Sequence, residues 1–186
     1  MDDRKLKEYA LKIFQGVNGY SLNKAFSLFP KYYPKIAFYY SQLVVDNTNK
    51  FTSRIISVVG INKAISIKKQ YEDINSKALL FYVDSRIKFK EAYTKMENAQ
   101  NIYDKYNSYV EGLTTGINIM NNSIDILADS TELLFKTMEE AKKYKFGNLE
   151  QEINKLILVN KQANEELTKL NKQFSNYLKE YQYKEL

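Results

Sequence analysis

From Asn148 to Tyr183 the apolar positions recur at alternating steps of four and three: Leu149, Ile153, Leu156, Asn160, Ala163, Leu167, Leu170, Phe174, Tyr177 and Tyr181. No step is skipped. A 3.5-residue period of this kind predicts one long helix with a continuous coiled-coil seam, so a surface of comparable length must lie beside it. The chain before it keeps a related rhythm. Ala64, Ile67, Tyr71, Ile74 and Ala78 follow the same spacing, and one extra four-step leads to Tyr82, Ser85, Phe89, Ala92, Met96, Ala99, Tyr103, Tyr106 and Val110. An inserted four-step is a stutter, which unwinds a coiled coil locally without ending it. The phase continues through Leu113, Ile117, Met120, Ile124, Leu127, Thr131, Leu134, Met138 and Ala141.

Two corners come into question in this region, and at the first of them, 112–116, the unbroken phase supports a competing reading, one very long helix whose seam another chain would have to cover. Gly112 and Gly116 enclose Leu113, Thr114 and Thr115. Glycine costs about 1 kcal/mol against alanine in a helix interior, and β-branched threonine lowers helix preference further. A corner at 112–116 would also let three long helices of similar length cover one another in up-down-up order. The second corner is a tight hairpin at 145–149. Lys142, Lys143 and Lys145 suit the last turn of a helix, Gly147 the left-handed position after it, and Asn148 with Gln151 an N-cap and its capping-box partner.

The first 60 residues are punctuated differently. Leu6, Tyr9, Ala10, Ile13, Phe14 and Val17 share one face of a helix that Gly16 and Gly19 end. Ser21 can cap a short helix carrying Leu22, Ala25, Phe26 and Phe29, which Pro30 stops. Lys31, Tyr32 and Tyr33 lie between two prolines and read as a corner. Residues 35–45 are apolar on nearly every side, so they must be buried on nearly every side. The polar run from Asp46 to Lys50 reads as a loop or a helix start, and a second apolar patch, Phe51 to Ile61, follows it. The expected fold is all-α: an elongated antiparallel helical bundle or coiled coil of long helices (61–186), with a small apolar helical head at the N-terminus (1–60).

Composition narrows the chemistry. The 186 residues include neither cysteine nor histidine, which removes disulfides, thiolate metal sites and the common His-dependent nucleophile pairs. Basic residues dominate the front: residues 1–110 carry 18 Lys and Arg against 10 Asp and Glu, whereas 111–186 carry 10 against 12. A basic front favours an acidic partner surface. Lys5, Lys7, Glu8 and Lys12 interrupt the apolar start expected of a signal peptide, and no run reaches the ~18 apolar residues of a membrane span. A cytoplasmic chain is expected, with release by a non-classical route left open.

Candidate sites are few. Asn160 occupies a core position of the last seam, where an amide either specifies register or sits half exposed beside Ala163. Tyr103, Tyr106 and Tyr109 could stack bases beside Lys95 and Lys105, but Tyr103 and Tyr106 fall on the seam and read more simply as core rings with a wet hydroxyl. In the head, Phe26, Phe29, Tyr32, Tyr33, Phe38, Tyr39 and Tyr40 interleave with Lys24, Lys31 and Lys35. Such a segment suits either a head core with a solvated lysine rim or an interfacial contact with membrane or protein. Nucleic acid ranks lower, because arginine is absent from that segment. The carboxylate pairs Glu72-Asp73, Glu139-Glu140 and Glu165-Glu166 point about 100° apart on a helix and form no preset acid and base. No catalytic set, metal cluster, cofactor or small-molecule substrate is inferred. The expected function is that of a non-enzymatic structural or adaptor protein associating through the coiled-coil seam (Leu149, Ile153, Leu156, Asn160, Leu167, Leu170, Phe174, Tyr177), with itself or a protein partner. The alternative is a membrane-acting protein whose basic, aromatic segment 26–61 binds or enters lipid.

Overall fold

The computed structural model describes residues 1–59, 65–145 and 147–184. Among these the chain is all-α, with six helices. Helix α1 (Asp3–Phe14) opens on Asp2, whose carboxylate accepts the Lys5 N–H at 2.9 Å. It ends before Gly16 and Gly19, which take positive φ. Leu6 and Ala10 are its buried residues, while Val17, expected on the same face, lies beyond the helix and is exposed. Helix α2 (Leu22–Leu28) begins with the predicted cap, Ser21 Oγ accepting the Lys24 N–H at 3.0 Å.

Helix α3 (Tyr33–Val59) is longer than the sequence suggests. The polar run 46–50 does not interrupt it. Thr48 and Asn49 turn inward to partners, Thr48 Oγ1 donating to Val44 C=O at 3.0 Å and Asn49 Nδ2 to Asn75 Oδ1 at 2.6 Å. Thr48 is thus satisfied within α3 and Asn49 across to the following helix, while Asp46, Asn47 and Lys50 face outward, and α3 becomes the fourth long helix of the bundle. The boundary proposed at Gly60, with Ile61 and Ala64 beside it, lies outside the described residues.

Helices α4 (Ile65–Asn98), α5 (Ile102–Lys143) and α6 (Gly147–Lys184) complete the bundle. At ~1.5 Å per residue, α5 spans about 63 Å. The pairs Lys95–Glu111, Lys77–Asp129 and Lys136–Gln70 run in opposite senses along α4 and α5. Tyr106–Gln182, Asn121–Asn171 and Ile124–Asn164 do the same for α5 and α6. Helix α3 runs parallel to α5, with Pro34 against Gly116 and Ile55 in one apolar cluster with Leu133 and Leu134. The long helices thus alternate in direction, with α5 packed against all three others and α1 against the outside of α3. One buried cluster unites Leu6, Tyr33, Phe38, Phe89, Leu113, Leu167 and Phe174, so the N-terminal helices share their core with the long ones.

The corner at 112–116 is corrected by this arrangement: α5 is helical through it, and the turn lies at Ala99–Asn101. The new helix starts on Asn101, whose side chain accepts the Asp104 N–H at 2.8 Å. The glycines serve as points of close approach. A Cβ on Gly112 would lie 2.3 Å from Met96 Cε, and one on Gly116 2.5 Å from Pro34 Cβ. Their helix cost is offset by the packing that only a missing side chain permits. Beyond them Gly116, Ser123, Ser130 and Thr137 form a buried column of small residues at heptad spacing. Ser123 and Thr137 return their hydroxyls to carbonyls of their own helix.

The hairpin between α5 and α6 forms with different roles for its residues. Lys142 and Lys143 do occupy the last turn of α5, but Lys145 takes the left-handed conformation, with φ 60°. Gly147 begins α6, so Asn148 stands inside the first turn and is not its cap.

Candidate interaction surface

The predicted seam of α6 is used within the chain. Ile153, Asn160, Ala163, Leu167, Leu170 and Phe174 are buried, and Leu149, Leu156 and Tyr177 are half-buried against the same core. Ile157, Asn171 and Leu178 join them although they lie off the seven-residue pattern. A straight helix drifts ~20° per heptad from a 3.5-residue repeat, so the buried face rotates along α6. Asn160 is fully enclosed, which corrects the half-exposed alternative; its Nδ2 donates to Thr48 Oγ1 at 2.9 Å. Tyr181, Tyr106 and Tyr109 cluster where α5 and α6 end together, with Tyr109 and Tyr181 centroids 4.8 Å apart. Tyr103, predicted as core, is 73 % exposed, because the true corner leaves the first turn of α5 beyond its neighbours.

The head aromatics are chiefly core. Tyr33 and Phe38 are fully buried and Tyr39 nearly so; Phe26, Phe29, Tyr32 and Tyr40 are half-buried. Phe26 packs edge-on against Tyr33 and Phe174. Tyr33, Phe38 and Tyr39 are therefore core residues of the head and offer no surface to lipid or partner while it stays closed. Burial pushes the Tyr40 hydroxyl up to about 12, with Glu166 adding to the shift, and Tyr33 is raised further by the same two causes. Lys31 remains at the surface beside Tyr32, whereas Lys35 is only 8 % exposed.

Lys35 lies in a cleft of about 520 Å³ where α1 meets the starts of α3 and the end of α4. Its ammonium pairs with Asp3 and sits 4.7 Å from the centroid of the Tyr93 ring. A buried charge persists where a countercharge and polar neighbours replace water, and both are present here. Tyr93 donates its hydroxyl to the Lys31 carbonyl and stacks on Tyr32; burial raises it well above the usual tyrosine range. Tyr39 is pushed up to about 12 by burial and then by Asp3. Three further basic side chains line the cleft: Lys7 from α1 and Arg86 and Lys90 from α4. Among the described residues none of these three forms a salt bridge, although Lys7 rests over the Tyr39 ring at 5.3 Å.

The outer face of α4 borders this cleft. Leu79, Leu80, Val83 and Ile87 are 64, 74, 50 and 53 % exposed. At 100° per residue they fall within one arc of about 100°, opposite the buried Ala78, Tyr82, Ser85 and Phe89. Four large aliphatic side chains side by side on the outside of a bundle differ from the scattered singles of an ordinary surface. The sequence carried a signal for them: residues 78–83 are apolar without a break, more than one seam can bury. Elsewhere Phe135 is partly exposed but has Lys161 5.0 Å over its ring.

No three acidic side chains meet as a metal site, and no helix is long and apolar enough to cross a membrane, among the described residues. No family model, curated protein or solved structure matches the chain.

Proposed function

We propose that this is a non-enzymatic helical-bundle protein that works by association, and that the associating surface is the outer face of α4. The observation that carries the reading is the exposed aliphatic stripe Leu79, Leu80, Val83 and Ile87. Contiguous apolar surface of this kind marks interaction sites in soluble proteins, because leaving it in water is unfavourable and burying it on a partner is not. The stripe advances by roughly one helical turn per residue pair, the spacing that suits a coiled-coil-like helical partner. The seam of α6 is spent on the fold, so association moves to α4.

The test is selection of displayed peptides on the immobilised chain, with the Leu80→Asp/Ile87→Asp double variant as counter-selector. Both positions are exposed, so the variant should keep the helical signal and thermal transition of the parent. Enrichment of helical peptides that release the variant is the expected result. Peptides indifferent to the two changes, or none at all, would remove the reading.

A second reading is favoured by the basic border of the stripe: Arg86, Lys90 and Lys7 beside exposed aliphatic groups also suit an anionic lipid surface. Flotation with anionic and neutral vesicles separates the two, since only the lipid reading requires the anionic vesicles to carry the protein.

A further inference from the structure

We infer that the partner of the α4 face is an acidic amphipathic helix, which lays its apolar side on Leu79, Leu80, Val83 and Ile87 and its carboxylates on Arg86, Lys90 and Lys7. The inference rests on the reading of α4 as the associating surface and adds the chemistry of what binds there.

The two edges of the stripe are electrically different. On the edge toward α5, the charges are already matched: Lys88 pairs with Asp84 at 2.8 Å and Lys77 with Asp129 at 3.1 Å. On the edge toward α1 and α3, Arg86 and Lys90 stand four residues apart, one above the other, and neither forms a salt bridge among the described residues. Lys7 joins them from α1, where it shares with Arg86 an adjoining hollow of about 340 Å³ between α1, α3 and α4. Of the nearby acids, Asp2 caps α1 and Asp3 holds Lys35, while Asp46 lines the same hollow as Arg86 as an exposed carboxylate that forms no salt bridge with it; desolvation raises its carboxyl against the opposing pull of Lys50 and Arg86. Glu97 lies seven residues beyond Lys90, about 10 Å along the helix.

An occupant must therefore be apolar along one line and negative along one side of it. The stripe extends over nine residues, about 12 Å, which two to three turns of a helix would cover. Such a helix presents side chains at i, i+4 and i+8 as ridges, and the hollow beside Leu11 and Leu43 gives one of them a place to enter. Arg86 adds geometry to charge, since its planar guanidinium can donate two parallel hydrogen bonds to a carboxylate.

Two other occupants fit less well. In an antiparallel pair of two copies each edge of α4 meets its own equivalent, so Arg86 and Lys90 would face Arg86 and Lys90 across a contact between chains of net charge +6. A lipid surface would use the stripe but leave the recessed cleft and hollow empty, and the polar residues Asp73, Ser76, Lys90 and Glu91 confine the apolar line to a short length.

The experiment uses two side-chain-bridged helical peptides with the same leucine face, one with glutamate and one with lysine along the flanking edge. Binding to the full chain is followed by fluorescence anisotropy at low and high salt. The glutamate peptide should bind roughly tenfold or more tightly than the lysine peptide at low salt, with the advantage shrinking at high salt. Arg86→Glu/Lys90→Glu should reverse the preference, and Leu80→Asp/Ile87→Asp should abolish binding of both. Equal affinity for the two peptides, or a preference that survives charge reversal, overturns the acidic-partner inference while leaving α4 as the associating face. Loss of all peptide binding overturns both. A concentration-dependent dimer abolished by Leu80→Asp assigns the face to a second copy, and capture by anionic vesicles without peptide binding assigns it to lipid.

Discussion

Asn160 on α6 donates to Thr48 on α3 at 2.9 Å, and both residues are wholly enclosed. Thr48 in turn donates to its own Val44 carbonyl, so the hydroxyl serves as acceptor and donor at once. A single layer of the bundle thereby fixes how far α6 slides along α3. Thr48→Val would leave the buried amide with no hydroxyl to bond, a cost of about 1–3 kcal/mol. Replacing both partners, as Thr48→Val with Asn160→Leu, should recover much of that cost. Urea denaturation of the singles and the double variant gives the coupling energy; additive effects would show that the pair does not act as a unit.

Gly112 and Gly116 look alike in the sequence but meet different neighbours. The atom in the way of a Cβ at Gly112 is the flexible end of Met96, while at Gly116 it is the Pro34 ring. Alanine at either position gains about 1 kcal/mol of helix preference. Gly112→Ala should therefore be close to neutral, with Met96 moving aside. Gly116→Ala should destabilise by about 1–3 kcal/mol, since the proline ring at the start of α3 cannot rotate away. Thermal melts of the two variants side by side check this. If both were stabilised, the close approach of α3 to α5 would be wrong.

At these glycines the local pattern of the chain does not determine the structure. The period of Ala78, Tyr82, Ser85 and Phe89 identified the buried face of α4, stutter included, and Ser21 and the paired lysines at 142–143 identified helix ends. Such signals are local: each depends on spacing or on a cap within one turn. Whether Gly116 breaks a helix or admits Pro34 depends on a residue 82 positions away. The same holds for Thr48 and Asn49, polar in the chain but satisfied by Asn160 and Asn75. The α4 stripe was obscured differently, since a seam accounts for one face of a helix and Leu79, Leu80, Val83 and Ile87 lie on the other.

The Lys35–Asp3 pair ties α1 to the start of α3, and its members differ in exposure: the Lys35 side chain is 11 % exposed and that of Asp3 57 %. Removing the exposed partner strands the buried one. Asp3→Asn should cost roughly 1–2 kcal/mol, less than for a fully buried pair because water reaches the carboxylate. Lys35→Met, which removes the buried charge itself, should cost less than Asp3→Asn. Denaturant midpoints of the two variants decide the order, and a larger loss for Lys35→Met would mean that the ammonium stabilises through the Tyr93 ring beneath it more than through Asp3.

Alkaline pH should unfold the protein through its tyrosines. Tyr39 and Tyr40 are raised to about 12, and Tyr33, Tyr82 and Tyr93 are raised further, in each case chiefly by burial. An unfolded tyrosine ionises near pH 10, so above that value the native chain holds protons that the unfolded chain has released. Stability then falls as pH rises, with the loss beginning near pH 10 and growing through 12. After a pH jump into this window, the immediate tyrosinate absorbance should fall short of the amplitude for all 16 tyrosines. The remainder should grow at the rate at which helical circular dichroism is lost, because a ring such as Tyr93, packed between Tyr32 and Phe89, ionises only once the bundle opens. Full absorbance before any loss of helix would mean that these hydroxyls reach water in the native state.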